Sequence, residues 1–316
     1  SVRPDKAGTR GSLEVCRSAC SRHTVRMIIF NKYFVLCRMP ISCFTACAAL
    51  TGYLLTPDRS GVTLPLLAAG VFLLASGASA LNQFQDRDID ALMERTRLRP
   101  LPAGTMDPWT ALSVATGLIA SGLVVLHAIN APVVALGAFA VLWYNGLYTP
   151  LKRRAAFAAV PGAITGAIPP VMGWAAGGGS MADPKIVVVA ALFFLWQIPH
   201  FWLLLISDRN GYEQTGLPSP DRAFPRGRFP GIVALWTAAA AVSCLALPLF
   251  GLALSPVVQG SLVMLAFWMV LTCLRMLGTD ADAATARSVF RSINVFLGLI
   301  MVLLSIDPVL RQGFFF

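Results

Sequence analysis

The chain has 316 residues, of which 56% are hydrophobic and 13% are charged. Soluble domains carry about 25% charged residues, so the composition excludes an ordinary soluble globular protein. The mean hydropathy of +0.69 instead indicates one polytopic membrane bundle. The net charge of +10 is explained by basic residues on one side of the membrane. It therefore does not indicate a nucleic-acid partner.

The N-terminal residues 1–33 are basic and polar, and we expect the membrane domain to cover 34–316. Two interpretations of this N-terminal segment remain open. Its Arg and Ser residues are typical of a mitochondrial transit peptide, but Asp5 and Glu14 count against one. The alternative is a cytoplasmic tail or a translated stretch upstream of Met27.

Nine apolar stretches have about the 17 to 25 residues that a helix needs to cross the hydrocarbon layer. Helices are expected because they satisfy their own backbone hydrogen bonds within lipid. The sequence therefore predicts an all-α membrane protein with about nine transmembrane helices in one bundle. The predicted spans are 34–55, 64–84, 109–127, 132–148, 156–176, 186–206, 231–253, 258–276 and 292–310.

The distribution of Lys and Arg predicts the orientation, because these residues are retained on the cytoplasmic side during insertion. With nine spans, 22 of the 25 Lys and Arg residues fall on the side of the N-terminus. We therefore expect the N-terminus to be inside and the active cavity to face the cytoplasm. The expected location is a bacterial inner membrane, with the mitochondrial inner membrane and a matrix-facing cavity as the alternative.

The most informative segment begins at the cytoplasmic end of the second span. On a helix, Asn82, Asp86 and Asp90 lie four residues apart and share one face, whereas Asp88 points elsewhere. Clustered carboxylates repel one another unless a cation lies among them, and hard oxygen ligands suit Mg²⁺ bound to substrate phosphates. The spacing predicts a diphosphate site with Asn82, Asp86 and Asp90 as metal ligands and catalytic residues.

The alternative is a solvated helix end whose acids pair with nearby arginines. The two interpretations are compatible, because guanidinium groups also bind phosphate oxygens in pairs. The arginines in question are Arg87, Arg95, Arg97 and Arg99.

These residues resemble a known family. The pattern Asn82-x-x-x-Asp86-x-x-x-Asp90, followed by Met93-x-Arg95-Thr96-x-x-Arg99-Pro100-Leu101, is similar to the first aspartate-rich motif of the UbiA-type intramembrane prenyltransferases. Within that superfamily it most resembles the protoheme IX farnesyltransferases, or heme O synthases. The likeness covers roughly 34–218 and includes Tyr148-Thr-Pro-Leu-Lys152-Arg153-Arg154, Gly166-Ala-Ile-Pro169-Pro170-Val-Met-Gly173-Trp174 and Trp196-Gln197-Ile-Pro199-His200-Phe201-Trp202.

The resemblance implies Mg²⁺-dependent transfer of a farnesyl group from farnesyl diphosphate to a vinyl group of protoheme IX, with water adding to give heme O. It also implies that Arg95, Arg99, Lys152 and Arg153 hold the diphosphate. Haem-handling membrane enzymes are possible partners. For the basic triplet that begins at Lys152, an anchor at a helix end remains the alternative.

The second acidic motif departs from the family. Its usual pair of adjacent acids would fall at Asn210-Gly211, directly before Tyr212. Asp208 and Glu213 flank the gap and are the candidate ligands for a second metal position. Asn-Gly is a strong turn former, so we expect a loop instead of a helix here.

His200 lies near the cytoplasmic end of the sixth span, between Trp196 and Trp202. Either it hydrogen-bonds to a neighbour, or His200 and Trp202 contact a porphyrin, since histidine is a common haem ligand and aromatic rings supply a flat apolar surface.

Other functions stay open from the residues alone. The acceptor could be 4-hydroxybenzoate or a quinone or chlorin precursor, and a non-catalytic haem-binding membrane protein would share much of the pattern. A transporter is disfavoured because the acids cluster at one membrane face and no duplication is detectable.

Overall fold

The structure is a computed structural model that describes residues 31–57, 61–225, 227–278 and 282–313. Most of the N-terminal segment 1–33 lies outside the described residues, and so do both interpretations of it. Within the described ranges all regular elements are helical, in agreement with the predicted all-α class.

Eleven helices carry the fold, and several are extended by turns of 3-10 or π-helix. The π-helix Leu142–Tyr148 and the turn Thr149–Leu151 prolong α5, while the 3-10 helices Cys244–Phe250 and Leu274–Leu277 prolong α9 and α10. The helices are α1 (Met39–Leu54), α2 (Thr63–Gln85), α3 (Arg87–Leu92), α4 (Pro108–His127), α5 (Ala131–Val141), α6 (Ile164–Ala176), α7 (Pro184–Ser207), α8 (Arg209–Thr215), α9 (Arg228–Ser243), α10 (Pro256–Cys273) and α11 (Ala283–Gly313).

Seven helical segments of the described chain are long and apolar enough to cross a membrane: those of α2, α4, α5, α7, α9, α10 and α11. The other two predicted spans are shorter helices. The first, predicted at 34–55, becomes the 16-residue α1, because Arg38 before it has a left-handed backbone with φ 45°. The fifth, predicted at 156–176, is divided into Ala159–Gly162 and α6, in a stretch where prolines remove backbone N–H donors.

Glycines allow α1 and α6 to pack backbone against backbone. A Cβ added at Gly173 would lie 1.8 Å from the Ala49 carbonyl oxygen, and one at Gly52 would lie 1.9 Å from that of Pro170. No side chain fits in such spaces, so small residues are required at both contacts.

Three apolar clusters form the core. The largest joins α7, α9, α10 and α11, and a second joins α1, α2, α5 and α6. The smallest, which includes Leu101 and Met106, packs the loop after α3 against α2 and α4. That contact fixes the position of the acidic segment at the end of α2.

Candidate active site

The first acidic segment spans two consecutive helices, with a break at Asp86. α2 ends at Gln85 and α3 begins at Arg87, yet the amide of Asp86 donates to the Asn82 carbonyl at 2.9 Å and that of Asp90 to the Asp86 carbonyl at 2.8 Å. Hydrogen bonds between residues four apart therefore continue across the break between the two helices. Asn82, Asp86 and Asp90 all line one cavity and are at most 5% exposed, whereas Asp88 is exposed.

Each carboxylate in this cavity has a basic partner. Lys152 Nζ forms an ion pair with Asp86 Oδ2, and Arg99 Nη1 lies 2.7 Å from Asp90 Oδ2. Arg99 can reach Asp90 because the Thr96 hydroxyl donates to the Asp90 carbonyl at 2.9 Å and turns the chain back. Of the arginine pairs expected for a solvated helix end, the structure thus contains that of Arg99 with Asp90, but both carboxylates are buried.

Arg153 lies at the edge of this arrangement. Its guanidinium group binds both oxygens of Asp88 at 2.9 Å and approaches Asp86 Oδ1 at 3.5 Å. The hydrogen bond from Arg153 lowers the pKa of Asp88, and the same bond raises the pKa of Arg153. Arg153 does not line the cavity.

The cavity has a volume of about 470 Å³. Its polar end carries four cationic side chains, those of Arg38, Arg95, Arg99 and Lys152, against the two carboxylates of Asp86 and Asp90. The excess of positive charge favours an anion carrying several negative charges. The remaining wall is mostly apolar or aromatic and includes Ile41, Tyr148, Phe201, Trp202, Leu204 and Leu205.

The second acidic segment is helical, so the predicted Asn210-Gly211 loop is wrong. Both residues lie within α8, which ends at Gly216 with φ 66°. Gly211 is buried against Asp208, since an added Cβ would lie 2.6 Å from Asp208 Oδ1. Packing against Asp208 and a glycine stop at Gly216 outweigh the local turn preference.

The two candidate acids of this segment occupy different surroundings. Asp208 Oδ2 accepts a hydrogen bond of 3.0 Å from Arg95 Nε, and Arg95 lines the cavity. Glu213 forms a 3.5 Å ion pair with Arg209, is exposed, and faces a separate small pocket. Tyr212 between them does line the cavity, and burial raises the pKa of its hydroxyl.

His200 and Trp202 also differ in position. His200 does not line the cavity and packs between the rings of Trp196 and Phe290, with centroids 4.6 and 4.9 Å away. Trp202 does line it. Among the described residues, neither His200 Nδ1 nor Trp202 Nε1 has a hydrogen-bond partner, although both atoms are buried.

Sequence reasoning missed Arg38, Tyr144 and Thr149. Arg38 donates to Asn82 Oδ1 at 3.1 Å, and Asn82 Nδ2 donates to Thr149 Oγ1 at 3.0 Å. The signal for Arg38 was a basic residue at the start of an apolar run, which topology alone explains. Thr149 lies within the family-like segment that begins at Tyr148, but no role followed from its position there.

A metal ion fits this donor set in part. The described residues contain no group of three or more His, Cys, Asp or Glu side chains close enough to share an ion. Two buried carboxylates nevertheless line the cavity, and carboxylate oxygens suit Mg²⁺, which keeps waters and substrate phosphates as its other ligands. In this structure both are paired with basic side chains, and such side chains also bind phosphate oxygens.

The sequence is similar to known proteins along most of its length. The model of the UbiA prenyltransferase family matches residues 41–297. A protoheme IX farnesyltransferase of Geobacter sulfurreducens is 45% identical over 218 residues, covering 69% of this chain and 81% of that protein. One of Oleidesulfovibrio alaskensis is 36% identical over 284 residues, covering 88% and 96%.

A solved structure of a UbiA homologue from Archaeoglobus fulgidus bound to GPP and Mg²⁺ has the same fold. The TM-score is 0.60 with 19% sequence identity, and the match covers 87% of this chain and 99% of that chain. At this identity the likeness concerns the fold alone.

Proposed function

Because this chain belongs to the UbiA prenyltransferase family, we propose that it transfers a farnesyl group from farnesyl diphosphate to a vinyl group of protoheme IX and so forms heme O. The observation that carries this proposal is a single cavity with buried carboxylates and four cations at one end and apolar walls beyond. A polar head with several negative charges and a long apolar tail match these two ends.

The basic residues would bind the diphosphate. Arg95, Arg99 and Lys152 line the cavity, and each can exchange its carboxylate partner for a phosphate oxygen. Arg153 at the edge would assist from outside. As the allylic C–O bond breaks, the departing diphosphate takes the electron pair, and these cations stabilise the added charge.

Asp86 and Asp90 are the proposed metal ligands, with Asn82 beside them. Mg²⁺ bound there supplies Lewis-acid stabilisation of the leaving group. Asp208 and Glu213 would bind a second metal ion only after their ion pairs with Arg95 and Arg209 break. Of the two, Asp208 is better placed, because its partner lines the cavity.

The apolar walls would enclose the farnesyl chain and exclude water while the allylic cation exists. The terminal vinyl carbon then forms the new C–C bond, and the resulting cation takes a hydroxyl from water, which releases a proton. Phe201 and Trp202 supply aromatic surface for the porphyrin. His200 could reach the acceptor only by leaving its aromatic neighbours.

We propose that the cavity faces the side that holds most Lys and Arg residues, with the N-terminus inside. The bacterial relatives support a bacterial inner membrane. Single cysteines introduced at Arg87 and Asp183, in a cysteine-free background, should differ in labelling by a membrane-impermeant maleimide. Only Arg87→Cys is expected to react in inside-out vesicles, and the reverse pattern would overturn the orientation.

The experiment that tests the acceptor is a competition. The purified protein receives deuterated farnesyl diphosphate and Mg²⁺ with equal amounts of reduced protoheme IX and 4-hydroxybenzoate. Mass spectrometry then locates the label. Label in a haem product supports the proposal, whereas label in the benzoate, or haem binding without any label transfer, would overturn it.

A further inference from the structure

Arg38 lies at a sharp bend before α1. Residues 31–36 are helical, and Arg38 then adopts φ 45° and ψ 51°, a left-handed backbone that is unfavourable for a residue with a Cβ. The bend is held from two sides. Gln83 Nε2 donates to the carbonyls of Val35 at 2.8 Å and Leu36 at 2.9 Å, and Ser42 Oγ donates to that of Cys37 at 2.9 Å.

The bend directs the Arg38 guanidinium group into the cavity. Its Nη2 donates to Asn82 Oδ1 at 3.1 Å, and its Nη1 lies 3.4 Å from the Tyr144 hydroxyl. Its Nε is buried and has no partner in the part of the chain that the structure describes. An unfavourable backbone that the surroundings enforce, next to buried carboxylates, is typical of a functional site.

Three neighbouring side chains together fix the orientation of the Asn82 amide, that is, the positions of its oxygen and its nitrogen. Arg38 can only donate, so the atom facing it is the amide oxygen. The Thr149 hydroxyl donates to the Tyr144 carbonyl at 2.9 Å, so its oxygen accepts from Asn82 Nδ2 at 3.0 Å. Asp86 Oδ2 also accepts from Nδ2, at 2.9 Å.

The fixed Asn82 amide in turn determines how the two oxygens of Asp86 are used. Its Oδ2 is bound by Asn82 and Lys152, whereas its Oδ1 has one weak contact among the described residues, 3.5 Å from Arg153 Nη2. One oxygen of this carboxylate is thus fixed and the other remains free for a cation.

We infer that Arg38 is a positioning residue: it locks the Asn82 amide, with Thr149, so that Asn82 donates to Asp86 and presents Asp86 Oδ1 to the metal. This inference rests on the proposed function. It gives Asn82 the role of a donor that orients a metal ligand, in place of direct ligation. Groups that orient metal ligands commonly change metal affinity about 10–100-fold when removed.

The test measures metal binding without turnover. The probe is Mn²⁺, followed by the electron paramagnetic resonance signal of the free ion, with farnesyl S-thiolodiphosphate present and haem absent. Arg38→Lys keeps the charge but cannot contact Asn82 and Tyr144 together. Thr149→Val removes one acceptor for the Asn82 amide and nearly preserves shape. Arg97→Gln is the control, since its side chain is exposed and its ion pair in the described part of the chain is a long one of 3.9 Å with Glu94.

We expect Arg38→Lys to weaken Mn²⁺ binding about tenfold and Thr149→Val to weaken it in the same direction by a smaller factor. The control should bind Mn²⁺ as the unaltered protein does. Weaker binding in Arg38→Lys alone would mean that Arg38 contacts the diphosphate directly, which overturns the inference, as would unchanged binding in both variants. If Arg38→Lys fails to fold, Thr149→Val decides.

The outcomes separate this inference from the proposed function. If the unaltered protein binds Mn²⁺ with the analogue and the variants weaken it, but no haem is converted, the acceptor is wrong and the positioning role stands. If the unaltered protein binds no Mn²⁺ with the analogue, the positioning role is overturned whatever the acceptor.

Discussion

Arg95 Nε lies 3.0 Å from Asp208 Oδ2, and this ion pair joins two polar segments that are 113 residues apart in the sequence. The Arg95 side chain is 43% exposed and that of Asp208 is 20% exposed. Solvent screening limits the contribution of such a pair to folding stability to about 1 kcal/mol or less. Its importance lies in holding a carboxylate next to a cavity that lacks the family's adjacent acids at 210–211.

Asp208→Asn is therefore expected to raise the Mg²⁺ concentration for half-maximal activity about tenfold, because the amide is a weaker ligand than the carboxylate. Activity is measured at a series of Mg²⁺ concentrations. Asp221→Asn, which removes a nearby carboxylate paired with Arg209, is the control and should match the unaltered protein. A higher KM for farnesyl diphosphate with unchanged Mg²⁺ dependence would show that Asp208 acts only through Arg95.

Gly211→Ala should lower activity by displacing the same carboxylate. Alanine is more favourable than glycine within a helix by about 1 kcal/mol. This substitution would therefore stabilise the helix if there were free space around Gly211. Here the new Cβ would lie 2.6 Å from Asp208 Oδ1, and Asp208 must move. A double-mutant cycle with Asp208→Asn measures the coupling. The two losses should not add; full additivity would contradict a shared cause.

Asp86→Asn and Asp88→Asn form a matched pair, since the two side chains are two residues apart and are 5% and 63% exposed. We expect Asp86→Asn to lower kcat by about 10²–10³ or more, in the range for removing one transition-state contact. Asp88→Asn loses an exposed ion pair worth about 0–1 kcal/mol and should retain most activity. Turnover and thermal melting in detergent provide the comparison. Equal losses in both would contradict the site.

Trp202→Phe should weaken haem binding several-fold while leaving KM for farnesyl diphosphate unchanged, because it removes part of the aromatic surface that lines the cavity. The haem absorption band reports the titration. In His200→Phe the band position should remain as in the unaltered protein, since His200 does not line the cavity. A shifted band in His200→Phe would identify His200 as an axial ligand.

Hydropathy predicted most of the fold but not its interruptions. Hydropathy predicts the last span at 292–310, yet α11 is Ala283–Gly313, because Arg287 and Arg291 lower the local hydropathy without stopping the helix. The bend at Arg38 depends on donors from Gln83, a residue of another helix. No local pattern contains that information.

The site was predictable where spacing within one segment decides it. Asn82, Asp86 and Asp90 share a cavity because helical spacing brings them there. The basic partners of these acids are harder to predict from sequence, because Lys152 and Asp86 are 66 residues apart in the chain. The Asn210-Gly211 loop was wrong because burial against Asp208 acts through tertiary packing, which overrides a local turn preference.

The measurement that tests the central claim most directly is conversion of reduced protoheme IX by the purified protein with farnesyl diphosphate, followed by mass spectrometry of the extracted haem. The account predicts heme O with Mg²⁺ and none with EDTA. It also predicts no heme O from Asp90→Ala, although this variant is expected to fold in detergent. Heme O formed at an unchanged rate by both Asp86→Ala and Asp90→Ala would contradict the account. So would the absence of product when a known heme O synthase is active in the same assay.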